Sequence, residues 1–89
     1  MQEREVTIIN KLGLHARAAA KFVTTASGFS SSVDLAKDGQ KVNGKSIMGV
    51  MMLAAARGTN LIIITSGEDE QEAADSLVTL ISQKFGEDE

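Results

Sequence analysis

The only histidine of the chain, His15, lies in the segment Gly-Leu-His-Ala-Arg at residues 13–17, where a turn leads into a helix. A helix begins with backbone N–H groups that lack helical partners and with the positive end of the helix dipole, so it attracts anions. A histidine at this point is favoured in its neutral form, which leaves one ring nitrogen as a nucleophile near pH 7. The planar cation of Arg17 can meet two phosphate oxygens at once. These residues predict a site that takes a phosphoryl group onto His15 and holds it.

Other chemistry for this histidine has less support in the sequence. A lone histidine is most often an incidental surface residue, but the Gly-Leu-His-x-Arg context favours a functional one. The chain has no cysteine, which excludes a disulfide framework and a thiolate metal site. No carboxylates cluster around His15 in the sequence, so we expect neither a metal site built by the protein nor a bound cofactor.

Composition and charge are those of one small soluble domain spanning residues 1–89, with 43% hydrophobic and 24% charged residues. The net charge of −3 argues against broad binding to nucleic acid. The first residues, Met-Gln-Glu-Arg-Glu, contain no apolar stretch, and the longest apolar runs are too short to cross a membrane. We therefore expect a cytoplasmic protein that does not associate with membranes.

The hydrophobic periodicity predicts seven elements in the order β-α-β-β-α-β-α. The predicted strands cover residues 5–9, 32–36, 40–43 and 61–65, with a tight turn at Asp38-Gly39. The predicted helices run from Ala16 to Gly28, from Ile47 to about Ala55 with Gly58 as the stop, and from the capping-box pair Asp69 and Glu72 through the apolar stripe Ala74, Leu77, Val78, Ile81 and Phe85. This order predicts an α+β fold with helices on one face of an antiparallel sheet and the last strand between the first two.

Two further expectations concern contact with solvent. The nearly continuous apolar run at 61–65 predicts a strand that is buried on both faces or nearly so. Residues 86–89, Gly-Glu-Asp-Glu, are predicted to form a solvated tail without structure.

The second predicted helix carries more apolar side chains than a domain of this size can bury on one face. If Val50 and Leu53 point inward, Ile47, Met48 and Met51 stay on the outer side. Such a patch predicts a docking surface, because exposed apolar clusters mark interaction sites and methionine adapts to several partners. The alternative is that a loop or the tail covers it.

Ser46 immediately precedes this helix. A serine at that position serves by default as the N-cap, whose side chain accepts a hydrogen bond from a first-turn N–H group. A phosphate is also tolerated at a helix start, so the residue is a candidate modification site as well.

The segment Gly13-Leu14-His15-Ala16-Arg17-Ala18 resembles the active-site signature of the HPr family, the histidine-containing phosphocarriers of the bacterial phosphoenolpyruvate-dependent phosphotransferase system. Residues 45–51, Lys-Ser-Ile-Met-Gly-Val-Met, are similar to the second motif of that family. The resemblance covers essentially the whole chain. It implies an open-faced β-sandwich whose four antiparallel strands have the order 1-4-2-3 and are covered on one face by three helices.

The resemblance also implies roles for individual residues. His15 would be phosphorylated on Nδ1, Arg17 would stabilise the phosphate, and Ser46 would be phosphorylated by an HPr kinase/phosphorylase where that enzyme is present. The docking surface would comprise Ala20, Ile47, Met48 and Met51. It would bind the donor, phosphorylated Enzyme I, and the acceptors, the IIA domains. The chain would then be a phosphoryl carrier, most simply a monomer, and not an enzyme in its own right.

Departures from the family pattern leave the branch of the family open. Ala18 stands where many members have proline, and Thr24, Ser27 and Gly49 stand where many sugar-transport members have lysine, so the docking face is less basic. The alanine-rich runs resemble the nitrogen-related branch at least as much as the sugar branch.

Two other classes of function compete with a carrier. A small phosphatase-like enzyme could use a neutral histidine and an arginine, but the sequence shows no second acid–base group near His15 and no substrate pocket. A purely regulatory binding module could act through Ser46 and the apolar helix 47–55. A module of that kind would not need an intact His-x-Arg pair.

Overall fold

The computed structural model describes residues 1–89, and its elements follow the predicted order β-α-β-β-α-β-α. The strands are β1 (Gln2–Thr7), β2 (Ser32–Lys37), β3 (Gln40–Asn43) and β4 (Asn60–Ser66), and the helices are α1 (Ala16–Ser27), α2 (Ile47–Met52) and α3 (Glu70–Ser82), with a final 3₁₀ turn at Lys84–Gly86.

The four strands form one antiparallel sheet in the order β1-β4-β2-β3. Strand β4 lies between β1 and β2, as the sequence predicts for a split β-α-β arrangement. The helices α1 and α3 pack against each other, α1 also contacts α2, and α3 contacts β1 and β4. The α+β fold, the strand order and the three helices are therefore confirmed.

The core lies between the helices and one face of the sheet. In β4, Leu61 and Ile63 point into this core, whereas Ile62 is 38% exposed on the other face. The expectation that this strand is buried on both faces is therefore wrong. Helices cover only one face, so alternate side chains of the strand meet solvent although their sequence is continuously apolar.

Several element boundaries differ from the predicted ones, those of β1 and α2 among them. Strand β1 covers Gln2–Thr7 and not residues 5–9. The prediction misses its start because Glu3 and Arg4 give no apolar pattern there. Helix α2 ends at Met52 and not near Ala55, because Ala54 has a φ of +50°, which a right-handed helix cannot continue.

The start of α3 is held by a different contact from the predicted capping box. Asp69 is the N-cap residue, but its carboxylate makes no capping hydrogen bond within α3. It accepts hydrogen bonds from the backbone N–H groups of Ser30 and Ser31, both at 2.9 Å, and from the Ser31 hydroxyl at 2.5 Å. These bonds, the Ser31 hydroxyl first, lower the pKa of Asp69 to about 2. Asp69 therefore ties α3 to the turn before β2.

Helix α3 ends at Ser82, before Phe85, the last residue of the predicted apolar stripe. Phe85 is buried, as expected, but it lies in the final turn, where Lys84 and Phe85 both have a φ of +57°. These left-handed residues reverse the chain direction after α3, and the following residues run back toward the start of α1.

Asp69→Asn tests the contact that joins α3 to the turn before β2. Because the pKa of Asp69 is lowered on folding, its contribution to stability is present above about pH 3.8, its ordinary pKa, and is lost as pH falls toward about 2. We expect the variant to be less stable than wild type at pH 7, with the difference shrinking between pH 4 and pH 2 in urea titrations.

Glu72→Gln is the matched control, since a capping box would need Glu72 as much as Asp69. We expect only a small change in the unfolding free energy for this variant at either pH. Equal losses of unfolding free energy for Asp69→Asn and Glu72→Gln would support the predicted capping box. They would contradict a stabilising role for the contact between Asp69 and the turn before β2.

Candidate functional site

His15 is the N-cap residue of α1, which confirms that the histidine lies at a helix start. Its backbone is extended (φ −70°, ψ 176°), and its carbonyl accepts the first helical hydrogen bond, from the N–H of Ala19 at 2.8 Å. The ring nitrogen Nδ1 accepts a hydrogen bond from the N–H of Arg17 at 3.3 Å. One ring nitrogen therefore faces the unpaired N–H groups of the first turn, where an anion is favoured.

The loop before His15 is braced by the segment after α2. Gly13 has a φ of +65°, and a Cβ added there would lie 2.5 Å from the carbonyl oxygen of Ala55. The N–H of the next residue, Leu14, donates to that same oxygen at 2.8 Å, and its side chain is buried. Only glycine fits this turn without displacing the neighbouring backbone, so the position of His15 depends on it.

The second ring nitrogen of His15 contacts the C-terminal segment. Nε2 lies 2.5 Å from Oε2 of Glu87, whose side chain is only 16% exposed. The other oxygen of Glu87 accepts from the amide of Asn10 at 3.0 Å, and the same amide donates to the carbonyl of Gly13 at 2.9 Å. The backbone N–H of Lys11 donates to the carbonyl of Glu89 at 2.8 Å. The predicted solvated tail at 86–89 is therefore wrong.

Sequence reasoning missed Glu87, although one signal for it existed. The apolar stripe of α3 includes Phe85, and burial of this side chain fixes the following residues close to the body of the protein. Gly86, with a φ of +80°, completes the reversal, and the amine of Lys21 donates to the carbonyl of Phe85 at 2.6 Å. An anchored aromatic residue followed by glycine is a pattern that predicts a returning segment.

The contacts of both ring nitrogens agree on which one carries the proton, since the Arg17 N–H donates to Nδ1 and the Glu87 carboxylate accepts from Nε2. A carboxylate can only accept, so the proton of a neutral imidazole sits on Nε2 and leaves a lone pair on Nδ1. The hydrogen bond with His15 is the main cause that lowers the pKa of Glu87 below its ordinary value; desolvation opposes the shift and the Asn10 bond adds to it. Glu87 is therefore ionised at neutral pH, and the expectation of no second acid–base group near His15 is wrong.

Arg17 lies in the first turn of α1, and its side chain is exposed. It borders the same open depression as His15 and Glu87. A shallow groove next to this depression is lined by Arg17, Ala20, Lys21 and Leu80, and Ala20 is half-buried there. The structure thus brings together His15, Arg17 and Ala20 of the predicted site.

Helix α2 presents its apolar side chains in two directions. Val50 and Leu53 are buried, as expected, whereas Ile47, Met48 and Met51 are exposed, Met48 at 74%. Neither a loop nor the C-terminal segment covers them. We call Ile47, Met48 and Met51 the α2 patch. Helix α2, which carries the patch, packs against α1.

Ser46 is the N-cap of α2. Its hydroxyl oxygen accepts a hydrogen bond from the N–H of Gly49 at 3.1 Å, and its side chain is half-buried. The predicted capping role is confirmed. No group of three or more histidine, cysteine, aspartate or glutamate side chains is arranged to hold a metal ion, and no helix is long and apolar enough to span a membrane.

Known proteins are similar to this chain over its whole length. The family model for the "PTS HPr component phosphorylation site" matches residues 2–83. The phosphocarrier protein HPr of Cupriavidus necator is 55% identical over 89 residues, and that of Neisseria meningitidis serogroup B is 56% identical over 89 residues, each match covering 100% of both chains. The crystal structure of HPr-C-His from Thermoanaerobacter tengcongensis matches with a TM-score of 0.97 at 52% identity, again over 100% of both chains. The chain belongs to the HPr family of phosphocarrier proteins of the phosphotransferase system.

Proposed function

We propose that His15 carries the phosphoryl group, on Nδ1, receiving it from phosphorylated Enzyme I and passing it to IIA domains that serve sugar uptake or nitrogen-related regulation. The observation that carries this proposal is the arrangement of the ring: Nδ1 faces the first turn of α1 while Nε2 is held by Glu87. The nucleophilic lone pair and the anion-binding end of the helix thus point to the same place.

The first turn of α1 would stabilise the phosphoryl group once it is transferred. The N–H groups of Ala16, Arg17 and Ala18 have no partners within the helix, because the first helical hydrogen bond is made by Ala19. Phosphate oxygens are better acceptors than the ring nitrogen, whose bond to the Arg17 N–H is long at 3.3 Å.

His15→Asn tests the proposed role of His15, because asparagine is a preferred N-cap residue but has no ring nitrogen. We expect wild type incubated with phosphoenolpyruvate and Enzyme I to gain one phosphoryl group that is lost in acid. The variant should keep its melting temperature within a few degrees and gain none, as measured by mass spectrometry. An acid-stable adduct, or labelling of the folded variant, would overturn the proposal.

Arg17→Ala tests the contribution of the exposed cation. A charge-assisted bond to phosphate contributes about 1 kcal/mol at such a site, so we expect transfer from Enzyme I to slow roughly fivefold. Arg17→Lys should recover part of the rate, since lysine keeps the charge but lacks the two-pronged geometry. The transfer rates are measured by rapid-quench kinetics. If both variants accept the phosphoryl group as fast as wild type, Arg17 does not contribute, and the helix N-terminus alone stabilises the phosphate.

The α2 patch together with Ala20 forms the proposed docking surface for donor and acceptors. The side chains of the α2 patch are exposed, and Ala20 is half-buried beside Arg17. Docking would remove them from water and stabilise a complex without any change in the fold. A carrier that meets several partners through one such surface works most simply as a monomer.

Met48→Asp tests this surface. Met48 is largely exposed, so we expect little change in melting temperature but at least tenfold weaker binding to Enzyme I and to an acceptor domain by calorimetry. Gln71→Asp is the control, because it adds the same charge at the exposed start of α3. Equal loss of binding for both variants would mean that net charge, and not the α2 patch, determines affinity.

Ser46 is the proposed regulatory site, phosphorylated by an HPr kinase/phosphorylase in a host that has this enzyme. A phosphate adds roughly −1.5 to −2 charges at neutral pH next to Ile47 and Met48. A docking partner would have to desolvate that charge against an apolar surface. Modification would therefore weaken transfer to His15 while leaving the fold in place.

Ser46→Asp tests this regulation. We expect slower phosphorylation of His15 by Enzyme I at low salt, with an unchanged melting temperature, because aspartate remains a good N-cap. Ser46→Ala should lose the N-cap hydrogen bond of α2, which costs about 1 kcal/mol of stability, but its His15 should be phosphorylated as fast as in wild type. A Ser46→Asp variant as fast as wild type would contradict the proposed regulation.

A further inference from the structure

We propose that Glu87 is a positioning residue for phosphoryl transfer, which keeps the proton on Nε2 of His15 throughout the reaction. The ring then attacks through Nδ1 as a neutral nucleophile and leaves again as a neutral imidazole. This inference rests on the proposed phosphorylation of His15 and assigns the C-terminal segment a part in that reaction.

The contacts of Glu87 fix its carboxylate in place. One oxygen lies 2.5 Å from Nε2, and the other accepts from the amide of Asn10, which is itself fully buried and bonded to the loop at Gly13. The backbone on either side is held as well, by buried Phe85 and by the bond from Lys11 to Glu89. A carboxylate held in this way orients the ring and does not merely neutralise it.

The position of Glu87 also determines where a phosphoryl group can bind. Nε2 is occupied by the carboxylate and lies on the opposite edge of the ring from Nδ1. An incoming phosphorus atom can therefore reach only the lone pair on Nδ1. Because Glu87 does not approach that edge, it cannot deliver a water molecule to a phosphoryl group there, which suits a carrier better than a hydrolase.

The bonding changes balance without any proton leaving the site. In the first half-reaction the Nδ1 lone pair forms the bond to phosphorus, and the bond from phosphorus to the donor breaks with its electron pair going to the donor. The product ring carries a positive charge and keeps its Nε2–H, whose charge is offset by the Glu87 carboxylate. In the second half-reaction the Nδ1–phosphorus bond breaks, its electron pair returns to Nδ1, and the acceptor takes the phosphoryl group.

The other charged groups around this carboxylate are engaged elsewhere or lie toward solvent. On α1, Lys21 bonds to the carbonyl of Phe85, and Arg17 is exposed beside His15. On the preceding loop, Lys11 pairs with Glu89 at 3.4 Å, with both side chains mostly exposed. Asp88 borders the depression without bonding to the ring. The Nε2 proton therefore has Glu87 as its only carboxylate partner.

Glu87→Gln and Glu87→Ala test the inference, with Glu89→Gln as the matched control in the same segment. In unphosphorylated wild type, ¹⁵N NMR of the ring should show the proton on Nε2. We expect Glu87→Ala to move the Nε2 signal, because the Nε2 proton loses its carboxylate acceptor, while the Arg17 N–H continues to bind Nδ1. Glu89→Gln should leave them as in wild type, because its carboxylate contacts only Lys11.

The phosphorylated proteins give a second readout. The protonated ring is the better leaving group. Hydrolysis of the phosphohistidine should therefore stay fast up to a higher pH in wild type than in the Glu87 variants. Without the carboxylate the falling limb of that profile should move to lower pH by about one unit in both Glu87 variants, and not in Glu89→Gln.

The two readouts separate this inference from the proposed function. If His15 accepts a phosphoryl group but neither the ring signals nor the hydrolysis profile responds to the Glu87 variants, the role of Glu87 is wrong and the carrier function stands. If His15 accepts none, the carrier function fails, and the ring signals of the unphosphorylated variants still decide whether Glu87 holds the Nε2 proton.

Discussion

The unpaired N–H groups in the first turn of α1 are the constraint around which the site is built. Every helix must satisfy these donors, and most use a serine, threonine, aspartate or asparagine side chain at the N-cap. Here the cap is His15, whose Nδ1 accepts one of them. A ring nitrogen is a weaker acceptor than a phosphate oxygen, so the helix start is left with unused capacity to bind an anion.

The rest of the fold holds this helix start in one place. Packing of α1 against α2 and α3 above one face of the sheet fixes its direction, and Gly13 and Leu14 fix its entry against the segment that follows α2. The side chain proposed to carry the phosphoryl group stays outside the core. We therefore expect changes at His15 or Arg17 to affect the chemistry more than the stability of the fold.

Local sequence patterns predict what depends on neighbours in the chain. Periodicity places all seven elements, and the turn at Asp38-Gly39, the helix start at His15 and the N-cap at Ser46 are found where the pattern puts them. The contact of Glu87 with His15 joins residues 72 positions apart. Phe85 and Gly86 indicate locally that the chain returns, but not which side chain it meets. The bonds from Asp69 to the turn before β2 escape prediction for the same reason, because the capping-box pattern describes only contacts within one helix.

The one-sided burial of β4 shows a related limit. An apolar run predicts burial, but which face is covered depends on where the helices lie, and here they lie on one side only. The exposure of Ile47, Met48 and Met51 on α2 agrees with the prediction, because a small domain has too little interior to bury every apolar side chain of this helix. The interior volume of the domain therefore predicts exposure on α2, whereas the composition of β4 alone does not predict which of its faces is covered.

The identity of the phosphorylated atom tests the account most directly. NMR of ¹⁵N-labelled protein after reaction with phosphoenolpyruvate and Enzyme I distinguishes the two ring nitrogens by their chemical shifts and by their coupling to phosphorus. The account predicts phosphorus bonded to Nδ1 of His15, with the proton retained on Nε2. Phosphorus bonded to Nε2, the nitrogen that Glu87 occupies, or to any other residue would contradict it.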